Sequence, residues 1–423
     1  MSQVQSVAAL ILAAGRGERM NSEIPKVLHE AAGVSLIGHV IEAVKKAGIK
    51  RIAVVVGRHS NSLRASLNGA EIITQAKQLG TGHAVSQAHP HFRNWKGRLL
   101  ILTADAPCIR EETLRNFLEF HRQNQSTASI LTAEVANPYG YGRILRRGDQ
   151  VVGIREELDA NAKEREILEI NSGIYAFDSQ ALFHQLREIK RNKKKKEYYL
   201  TDVIELLVKA GKPVRALRVS DPSEVLGVNT RQELAMVNQI LNQRELERHS
   251  KAGVTILEPA QTYIAKGVRI GRDTLIHPFT WIERGVVVGS RCEIGPFAKI
   301  RSGSKIGDDT VIGSFVEIVR TKVGKKTFVK HLSYLGDAAI GNQVNVGAGT
   351  VTANFDGRKK QKTFVQDGAF LGCNTVLVAP VTVGKRAKTG AGAVVCARQR
   401  IPAGKTVIGI PAKLMKKSKR KIS

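Results

Sequence analysis

The chain has 423 residues, 42% of them hydrophobic, and a formal net charge of +29. Its length predicts two or three domains with ample core, and no apolar stretch approaches the roughly 20 residues that a membrane-spanning helix needs. A charge this basic favours anionic partners: nucleic acid, a membrane surface or phosphorylated small molecules.

The cysteines and the N-terminus bear on the cellular compartment. Four cysteines, at positions 108, 292, 373 and 396, show no CxxC or Cys/His spacing, so we expect free thiols in a reducing environment. The N-terminus lacks the basic stretch, long apolar stretch and cleavage site of a signal peptide. These features predict a cytoplasmic protein with no signal peptide and no transmembrane segment.

Part of the positive charge is concentrated in two clusters. They are RNKKKK at residues 191–196 and KKSKRK at residues 416–421. Solvated surface charge is the simplest interpretation, because no aromatic residues are interleaved and aromatics make up only 5% of the chain. Nucleic acid is therefore disfavoured as a partner, and the role of the basic C-terminal tail is left open.

Strand-like and helix-like segments alternate through the first half of the chain. Apolar runs at residues 6–14, 51–57 and 97–107 predict strands, and helical spacing at 35–48 and 110–124 predicts helices. This order predicts a Rossmann-like α/β domain with a mostly parallel sheet and helices on both faces. Ligands of such sheets bind beyond the carboxyl ends of the strands, where the opening loop and TADAP (residues 103–107) both fall.

The first strand leads into LILAAGRGERMNSEIPK, residues 10–26. This stretch has neither the GxxxxGK[ST] of a Walker loop nor the third glycine of a dinucleotide fingerprint. What remains is a glycine turn whose backbone N–H groups can cradle phosphates while Arg16, Arg19 and Lys26 neutralise them. On these residues alone, a structural turn with surface cations is the alternative.

A long helix is predicted at residues 231–253, and the periodicity changes after it. Aliphatic residues then recur at every sixth position, at Ile270, Ile276, Ile282, Val288, Ile294, Ile300, Ile306, Ile312 and Ile318. This is the period of a hexapeptide β-helix, in which the aliphatic residue points inward and the small residue after it turns the corner. The register slips at Val323 and Ile340, and the segment at residues 353–363 predicts a projecting loop.

The opening motif and the repeat together resemble one family. LAAGRGERM…PK is similar to the LxxGxGxRM…PK signature of sugar-nucleotide pyrophosphorylases. QLGTGHA (residues 78–84) and the repeat narrow the resemblance to the bifunctional N-acetylglucosamine-1-phosphate uridyltransferase/glucosamine-1-phosphate acetyltransferases, over nearly the whole chain. The resemblance implies a pyrophosphorylase domain at residues 1–229, a linker helix at 230–252 and a left-handed parallel β-helix acetyltransferase domain at 253–423.

The resemblance assigns a nucleotide site residue by residue. Lys26 and Arg19 would be the catalytic cations, and Asp105 and Asn229 would hold Mg²⁺ through oxygen atoms, which suits that ion. Glutamine is apt for reading uracil, because its amide offers both a donor and an acceptor. The residues expected to bind UTP and the sugar nucleotide are Leu12, Ala13, Ala14, Gly15, Lys26, Gln75, Gln78, Leu79, Gly80, Thr81, Gly142, Glu156, Asn171 and Asn229.

The resemblance also assigns an acetyltransferase site in the second half. His331 in VKHLSYLGDAAIG would be the base that deprotonates the amine, with Glu317 orienting its imidazole. The residues expected to bind the sugar phosphate are Arg301, Tyr334, Asn345, Asn354 and Lys360. Those expected to contact acetyl-CoA are Ala348, Cys373 and Ala391.

Several positions depart from the family pattern. Ala104 replaces a glycine, Val319 replaces a lysine of the substrate-phosphate site, and Phe355 replaces a tyrosine. A coenzyme A arginine has no counterpart in IGIPAK (residues 408–413). Val319 matters most because it removes a cation, and the neighbouring Arg320 should point elsewhere, since adjacent strand residues face opposite sides.

The resemblance implies a homotrimeric enzyme with two activities, making UDP-N-acetylglucosamine for cell-wall precursors. Glucosamine 1-phosphate would be acetylated by acetyl-CoA, and UTP would then donate uridylate to N-acetylglucosamine 1-phosphate with Mg²⁺, releasing pyrophosphate. Two alternatives stay open: a nucleotidyltransferase alone, acting on another sugar or dTTP, and a non-catalytic regulatory subunit. Such subunits tend to lose the lysine and metal ligands, which this chain retains as Lys26, Asp105 and Asn229.

Overall fold

A computed structural model describes residues 6–15, 17–58, 61–67 and 69–415. Arg16 and the basic cluster at residues 416–421 therefore lie outside the described residues. The chain divides into two compact units, with the boundary between Ile240 and Leu241. Within the described ranges, no helix combines the length and apolarity needed to cross a membrane.

The first unit contains strands and helices in alternation. Its strands are β1 (Val7–Ala13), β2 (Glu30–Ala31), β3 (Val34–Ser35), β4 (Arg51–Gly57), β5 (Glu71–Gln75), β6 (Arg98–Thr103), β7 (Ala128–Glu134), β8 (Arg143–Arg147), β9 (Gln150–Arg155), β10 (Glu169–Asp178) and β11 (Val214–Arg218). Its helices are α1 (Leu36–Lys46), α2 (Asn61–Ser66), α3 (Thr81–Ser86), α4 (His89–Phe92), α5 (Glu111–Gln123), α6 (Ala162–Arg165), α7 (Ser179–Gln185) and α8 (Asp202–Lys209). A further helix, α9 (Arg231–Lys251), starts in this unit and ends in the second.

The central sheet has the order β11–β7–β10–β6–β1–β4–β5, and the β8–β9 hairpin joins it at β10. β1 runs parallel to β4 and β6, whereas β10 is antiparallel to β6 and β7. Successive residues of β1 belong to two different cores: Ala8 and Leu10 pack on one side, and Ala9 and Ile11 pack on the other. A strand buried on both faces is typical of a helix-covered parallel sheet, which confirms the fold predicted for the first half.

The second unit is a solenoid of short strands. In chain order they are β12 (Thr255–Ile256), β13 (Tyr263–Ile264), β14 (Arg269–Ile270), β15 (Leu275–Ile276), β16 (Trp281–Ile282), β17 (Val287–Val288), β18 (Glu293–Ile294), β19 (Lys299–Ile300), β20 (Lys305–Ile306), β21 (Val311–Ser314), β22 (Glu317–Val319), β23 (Lys322–Val323), β24 (Phe328–His331), β25 (Tyr334–Gly336), β26 (Ala338–Ile340), β27 (Asn345–Val346), β28 (Val351–Ala353), β29 (Thr363–Val365), β30 (Phe370–Leu371), β31 (Val376–Val378), β32 (Val381–Val383), β33 (Lys388–Thr389), β34 (Val394–Val395), β35 (Arg400–Ile401), β36 (Thr406–Ile408) and β37 (Lys413–Leu414). Every third strand joins the same sheet, so the unit has three flat faces, which we call face 1 (from β12), face 2 (from β13) and face 3 (from β14).

The three faces close a parallel β-helix around one core. Ile276 pairs with Ile294, and Ile294 pairs with Ile312, in parallel register and with no exposed surface. This repetition confirms the hexapeptide solenoid and is consistent with its left-handed form. The slip at Val323 keeps its strand in register with Ile306, and the segment between β28 and β29 lies outside the regular strands apart from one bridge.

Gly295 has φ 96° and turns a corner as expected, but other glycines that follow the inward aliphatic residues do not have that role. Gly307 does not have a positive φ, and a side chain there would come within 2.7 Å of the Lys325 backbone nitrogen in the next coil. Corner residues with positive φ are often large, such as Phe297 at 57° and Asp309 at 59°. These glycines are therefore required mainly by the close stacking of coils and not by the turn.

Candidate functional site

Three predicted residues from distant parts of the chain meet in the first unit. The ammonium nitrogen of Lys26 lies 2.5 Å from Asp105 Oδ2 and 3.0 Å from Asn229 Oδ1. Asp105 follows the carboxyl end of β6, and the Val228 N–H donates to the Asp105 carbonyl at 2.8 Å. The side chains of Lys26 and Asp105 are only 11% and 23% exposed. The fold thus brings one carboxylate oxygen and one amide oxygen to the same cation, the Lys26 ammonium.

The segments that carry the two oxygen atoms are themselves fixed. Glu233 accepts hydrogen bonds from the backbone N–H groups of Asn229 at 2.7 Å and Thr230 at 2.8 Å, at the start of α9. The Ala104 N–H donates to the Leu12 carbonyl at 3.0 Å, and Ala104 is buried. The alanine that replaces the family's glycine is thus accommodated in the core.

The opening loop passes close to the stem of Lys26. Gly17 has φ 67°, and a Cβ atom there would lie 2.6 Å from Lys26 Cβ, so glycine is needed both for the backbone angle and for the contact. Gly15 and Arg19 are exposed after the buried Ala13 and Ala14. Among the described residues of the loop, Gly15 and Arg19 are therefore open to solvent, while Gly17 lies against Lys26.

The glutamine segment folds back on this loop. Gln78 donates from its amide nitrogen to the Ala14 carbonyl. Gln75 is buried, donates to the Gly80 carbonyl at 3.1 Å and lies 2.9 Å from His83 Nδ1. Gln75 therefore stabilises the glutamine segment through buried contacts, whereas Gln78 connects this segment to the residue that follows β1.

The turn at Gly80 and Thr81 packs against a neighbouring backbone segment. Gly80 has φ 100°, and a side chain there would meet the Tyr198 carbonyl oxygen at 2.5 Å. Thr81 accepts a hydrogen bond through Oγ1 from the Leu200 N–H at 3.0 Å. These contacts leave no room for a larger residue at Gly80.

The residues predicted to contact the sugar are held by two separate sets of hydrogen bonds. The Asn171 N–H donates to the Gly142 carbonyl at 2.8 Å, and the Asn171 amide donates to the Tyr175 hydroxyl at 2.7 Å. Thr201 donates to Glu156 Oε1 at 2.9 Å. Sequence reasoning missed both partners: Tyr175 lies in the same EINSGIY motif as Asn171 but was given no role, and Thr201 belongs to no motif.

Two carboxyl groups in this region have raised pKa values because they are buried. Burial raises the pKa of Glu156, and the hydrogen bond from Thr201 opposes the shift. Burial and then the charge of Glu156 raise the pKa of Asp202 to about 6. Shifted carboxyl groups of this kind cluster at functional sites, although ion-pair networks also produce them.

An arginine that sequence reasoning overlooked supports the same region. Arg143 is 2% exposed, and its Nη2 lies 2.8 Å from Glu157 Oε2. The same carboxylate oxygen accepts a hydrogen bond from the Gly140 N–H at 3.1 Å. Arg143 also donates to the Tyr141 carbonyl. The sequence gives no clear signal for this role, because Arg143 is the first residue of β8 and the strand, RILRR, contains two further arginines.

In the second unit, the predicted base and the predicted acetyl-CoA contacts form one column. Each lies two residues after an inward residue of face 1, and those inward residues pair in register from coil to coil. The column consists of His331, Ala348, Cys373 and Ala391. All but the half-buried Ala348 are exposed, so the column is accessible from outside the solenoid.

The predicted sugar-phosphate residues lie partly on the next face. Arg301 donates to Glu317 Oε1 at 3.1 Å, and Glu317 pairs in register with Tyr334. A side chain on Gly336 would meet the Tyr334 hydroxyl and the Asn354 amide nitrogen at 2.6 Å each. Tyr334 and Asn354 thus converge over this glycine.

Other predicted residues of this site are placed differently. Among the described contacts, Glu317 is paired with Arg301 and not with the His331 imidazole that we expected it to orient. Asn345 lies on face 1, in register with Phe370, and Lys360 is exposed in the inserted loop.

The departure at Val319 has a defined setting. Val319 is 2% exposed and pairs with Gly336. Arg320 points to the corner, where its Nε and Nη2 each donate a hydrogen bond of 2.7 Å to the Asp337 carboxylate. Asp337 also accepts a hydrogen bond from the Asn354 amide at 2.5 Å. Arg320 thus points away from the position of Val319, as predicted, but it lies past the end of β22 with φ 47°, so the corner of the coil and not strand alternation directs it to Asp337.

Comparisons with known proteins agree with this arrangement. Residues 9–189 match the MobA-like NTP transferase domain, and residues 285–320 match the bacterial transferase hexapeptide (six repeats). The chain is 41% identical to "Bifunctional protein GlmU" of Acetivibrio thermocellus, covering 93% of each chain. It is 43% identical to the protein of that name from Pelotomaculum thermopropionicum, covering 89% of this chain and 90% of the relative. A third relative so named, from Geobacillus thermodenitrificans, is 41% identical and is covered over 92% of both chains.

The matched residues span both units, so both halves of the chain are similar to the relatives. The identity and the coverage exceed what a shared fold alone requires. The chain belongs to the GlmU family of bifunctional proteins.

Proposed function

We propose that the chain makes UDP-N-acetylglucosamine in two steps at two sites. Acetyl-CoA first acetylates glucosamine 1-phosphate in the solenoid, and UTP then reacts with N-acetylglucosamine 1-phosphate in the first unit. The observation that carries the second step is the meeting of Lys26, Asp105 and Asn229 at the carboxyl edge of the sheet. Membership of the GlmU family supports the pairing of the two steps.

The donor set suits Mg²⁺ in the first unit. Asp105 Oδ2 and Asn229 Oδ1 already converge on one cation, the Lys26 ammonium, at 2.5 and 3.0 Å. One carboxylate and one amide oxygen fit an ion that normally keeps waters and takes phosphate oxygens as its other ligands. Bound there, the ion would neutralise charge on the phosphates during transfer.

Uridylyl transfer needs positioning more than a protein nucleophile. A phosphate oxygen of the sugar phosphate attacks the α-phosphorus of UTP in line, the new P–O bond forms, and the bond to the β-phosphate breaks to release pyrophosphate. The loop at Gly15 and Gly17 would hold the triphosphate through its backbone, and Arg19 and Lys26 would offset charge on the departing group. Gln78 would present its amide to the uracil.

The sugar would be held by the linked residues around Gly142. Asn171, steadied by Tyr175, and Glu156, steadied by Thr201, would hydrogen-bond the hydroxyl and acetamido groups. Because these polar groups are buried or half-buried, a sugar lacking a matching hydroxyl would leave them unpaired and bind less well.

Acetyl transfer would use the column on face 1. His331 takes a proton from the amine of glucosamine 1-phosphate, the nitrogen attacks the thioester carbonyl, and the C–S bond breaks to release coenzyme A as its thiol after protonation. Acetyl-CoA would lie along Ala348, Cys373 and Ala391. Arg301, Tyr334, Asn345, Asn354 and Lys360 would hold the sugar phosphate.

The solenoid also carries a strip of exposed aromatic residues that supports a homotrimer. Phe279, Phe297 and Phe315 stack at one corner with ring centroids 4.8 and 5.0 Å apart, and Leu332 follows them. Their exposed fractions lie between 46% and 62%. An apolar strip of this kind is typical of a surface that binds another chain. We place the protein in the cytoplasm, where its free thiols would stay reduced.

One experiment tests both steps. Purified protein receives UTP and Mg²⁺ with glucosamine 1-phosphate or its N-acetyl form, with and without acetyl-CoA, while thiol and pyrophosphate are measured separately. We expect thiol release only with glucosamine 1-phosphate, and rapid pyrophosphate release without acetyl-CoA only with the N-acetyl form. Absence of pyrophosphate with the N-acetyl form would refute the uridylyl assignment.

A second candidate is nucleotidyl transfer alone. It is favoured by Val319, which puts a buried apolar side chain where the family carries a cation, and by the engagement of Arg320 with Asp337. Normal pyrophosphate release with no thiol release in the same assay would select this candidate. Substituting dTTP and other sugar 1-phosphates then defines its substrates.

A further inference from the structure

The position of Lys26 implies more than contact with phosphates. Its ammonium contacts the same two oxygen atoms that the proposed function assigns to the metal, at 2.5 Å from Asp105 and 3.0 Å from Asn229. Magnesium binds oxygen at about 2.0–2.1 Å and would bring a double charge to the same place. Like charges at such distances repel strongly, so the ammonium and the metal cannot share these oxygen atoms.

Lys26 also lies beside the loop in which the proposed function places the triphosphate. The Lys26 stem lies against the opening loop, where an added Cβ on Gly17 would approach Lys26 Cβ to 2.6 Å. A four-carbon lysine side chain can redirect its charge by rotation without backbone movement. The backbone at Asp105 and Asn229 is fixed independently of Lys26, because the Val228 N–H donates to the Asp105 carbonyl and Glu233 accepts from the Asn229 N–H.

We propose that Lys26 couples metal binding to nucleotide binding by exchanging between these partners. The ammonium holds Asp105 and Asn229 until the metal takes both oxygen atoms, and it then transfers to the triphosphate in the opening loop. The metal alone therefore binds weakly, and the triphosphate strengthens its binding by giving the displaced ammonium a new partner. Coupling of this kind is reciprocal between the two ligands. This inference rests on the proposed nucleotide site.

The test is a Mn²⁺ titration without turnover, read from the electron paramagnetic resonance signal of free Mn²⁺. We expect Lys26→Met to bind Mn²⁺ about tenfold more tightly than the parent chain, because the competing cation is gone. Arg19→Gln is the matched control, since it removes an exposed cation from the same loop, and it should change the affinity by about twofold at most. Asp105→Asn should weaken binding in both backgrounds.

Two results would overturn the inference: equal Mn²⁺ affinity in the parent and Lys26→Met, or equal tightening by Lys26→Met and Arg19→Gln. Circular dichroism verifies folding, and Lys26→Gln replaces Lys26→Met if the latter does not fold. The titration needs no catalysis, so it can succeed even if the pyrophosphate assay fails. A non-hydrolysable UTP analogue should then raise Mn²⁺ affinity about tenfold more in the parent than in Lys26→Met.

Discussion

The two units bring polar residues together in different ways. In the first unit, Asp105 and Asn229 lie 79 and 203 positions after Lys26 in the sequence, yet both contact its ammonium within 3.0 Å. In the solenoid, His331, Ala348, Cys373 and Ala391 form a column because the same place recurs in each coil. A wound sheet concentrates distant residues at one edge, whereas a solenoid displays them in rows.

This difference has a consequence for chemistry. The edge of the sheet places cation and oxygen atoms in direct contact within one chain. The solenoid leaves His331 and Cys373 exposed on an outer surface. We therefore expect the first site to work within one chain and the second to depend on a neighbouring copy. Substitutions at each site should therefore affect one activity and spare the other.

Asp105→Asn should lower pyrophosphate release by about 10³-fold, because it removes the only charged oxygen donor proposed for the metal. Initial rates with N-acetylglucosamine 1-phosphate, UTP and Mg²⁺ measure the change. Thiol release should stay at the parent rate. Asp149→Asn, an exposed aspartate in the turn between β8 and β9, is the control and should leave both rates intact. A parent-like rate for Asp105→Asn would remove Asp105 from the site.

His331→Ala should lower thiol release by about 10²-fold, since the amine loses its base. His331 is exposed, so we expect no loss of folding stability. The control is His277→Ala, which alters a histidine of an earlier coil that pairs with Glu293. Thiol release that survives in His331→Ala would mean that another group acts as the base.

Phe279→Arg should lower thiol release by about tenfold and dissociate the assembly, because it places a charge in the aromatic strip. Phe279 lies at the far end of the strip from Leu332, so a direct effect on His331 is not expected. Sedimentation measures the mass, and pyrophosphate release should not change. The control is Leu257→Arg, which alters a similarly exposed apolar residue of the first coil. An unaltered mass for Phe279→Arg would argue against association through this strip.

Asp202→Asn should change the pH dependence of stability in the first unit. Folding raises the pKa of Asp202 from 3.8 to about 6, chiefly through burial. The resulting stabilisation is fully present below pH 3.8 and is lost as the pH rises through about 6, because the buried carboxylate must ionise. The variant should therefore gain in melting temperature over the parent between pH 4 and pH 7. The control is Asp149→Asn, which removes an exposed carboxylate that is not among the groups shifting the pKa of Asp202. A constant difference across this range would contradict the raised pKa.

Local patterns made much of this molecule predictable. The apolar run before Gly15 and the six-residue period from Ile270 depend on neighbouring residues alone, so both strands and repeat follow from the sequence. The column on face 1 also follows once the period is known. The geometry at the corners could not be predicted in this way, because the close approach of Gly307 to the next coil exists only once the coils stack.

Contacts between distant residues were harder to foresee. Lys26 was expected to face phosphates, and its contact with Asp105 and Asn229 depends on how a turn, the segment after β6 and the segment before α9 come together. The support of Glu156 by Thr201 joins residues 45 positions apart with no shared motif. Motifs indicate which side chains do chemistry, but the groups that orient them are set by tertiary packing.

The central claim is that one chain carries two separate and successive activities. An equimolar mixture of Asp105→Asn and His331→Ala tests it most directly, with glucosamine 1-phosphate, acetyl-CoA, UTP and Mg²⁺ as substrates. Neither variant alone should form UDP-N-acetylglucosamine at a substantial rate, whereas the mixture should, because the acetylated sugar phosphate diffuses from one variant to the other. A mixture as inactive as each variant alone, with both variants folded, would contradict the account.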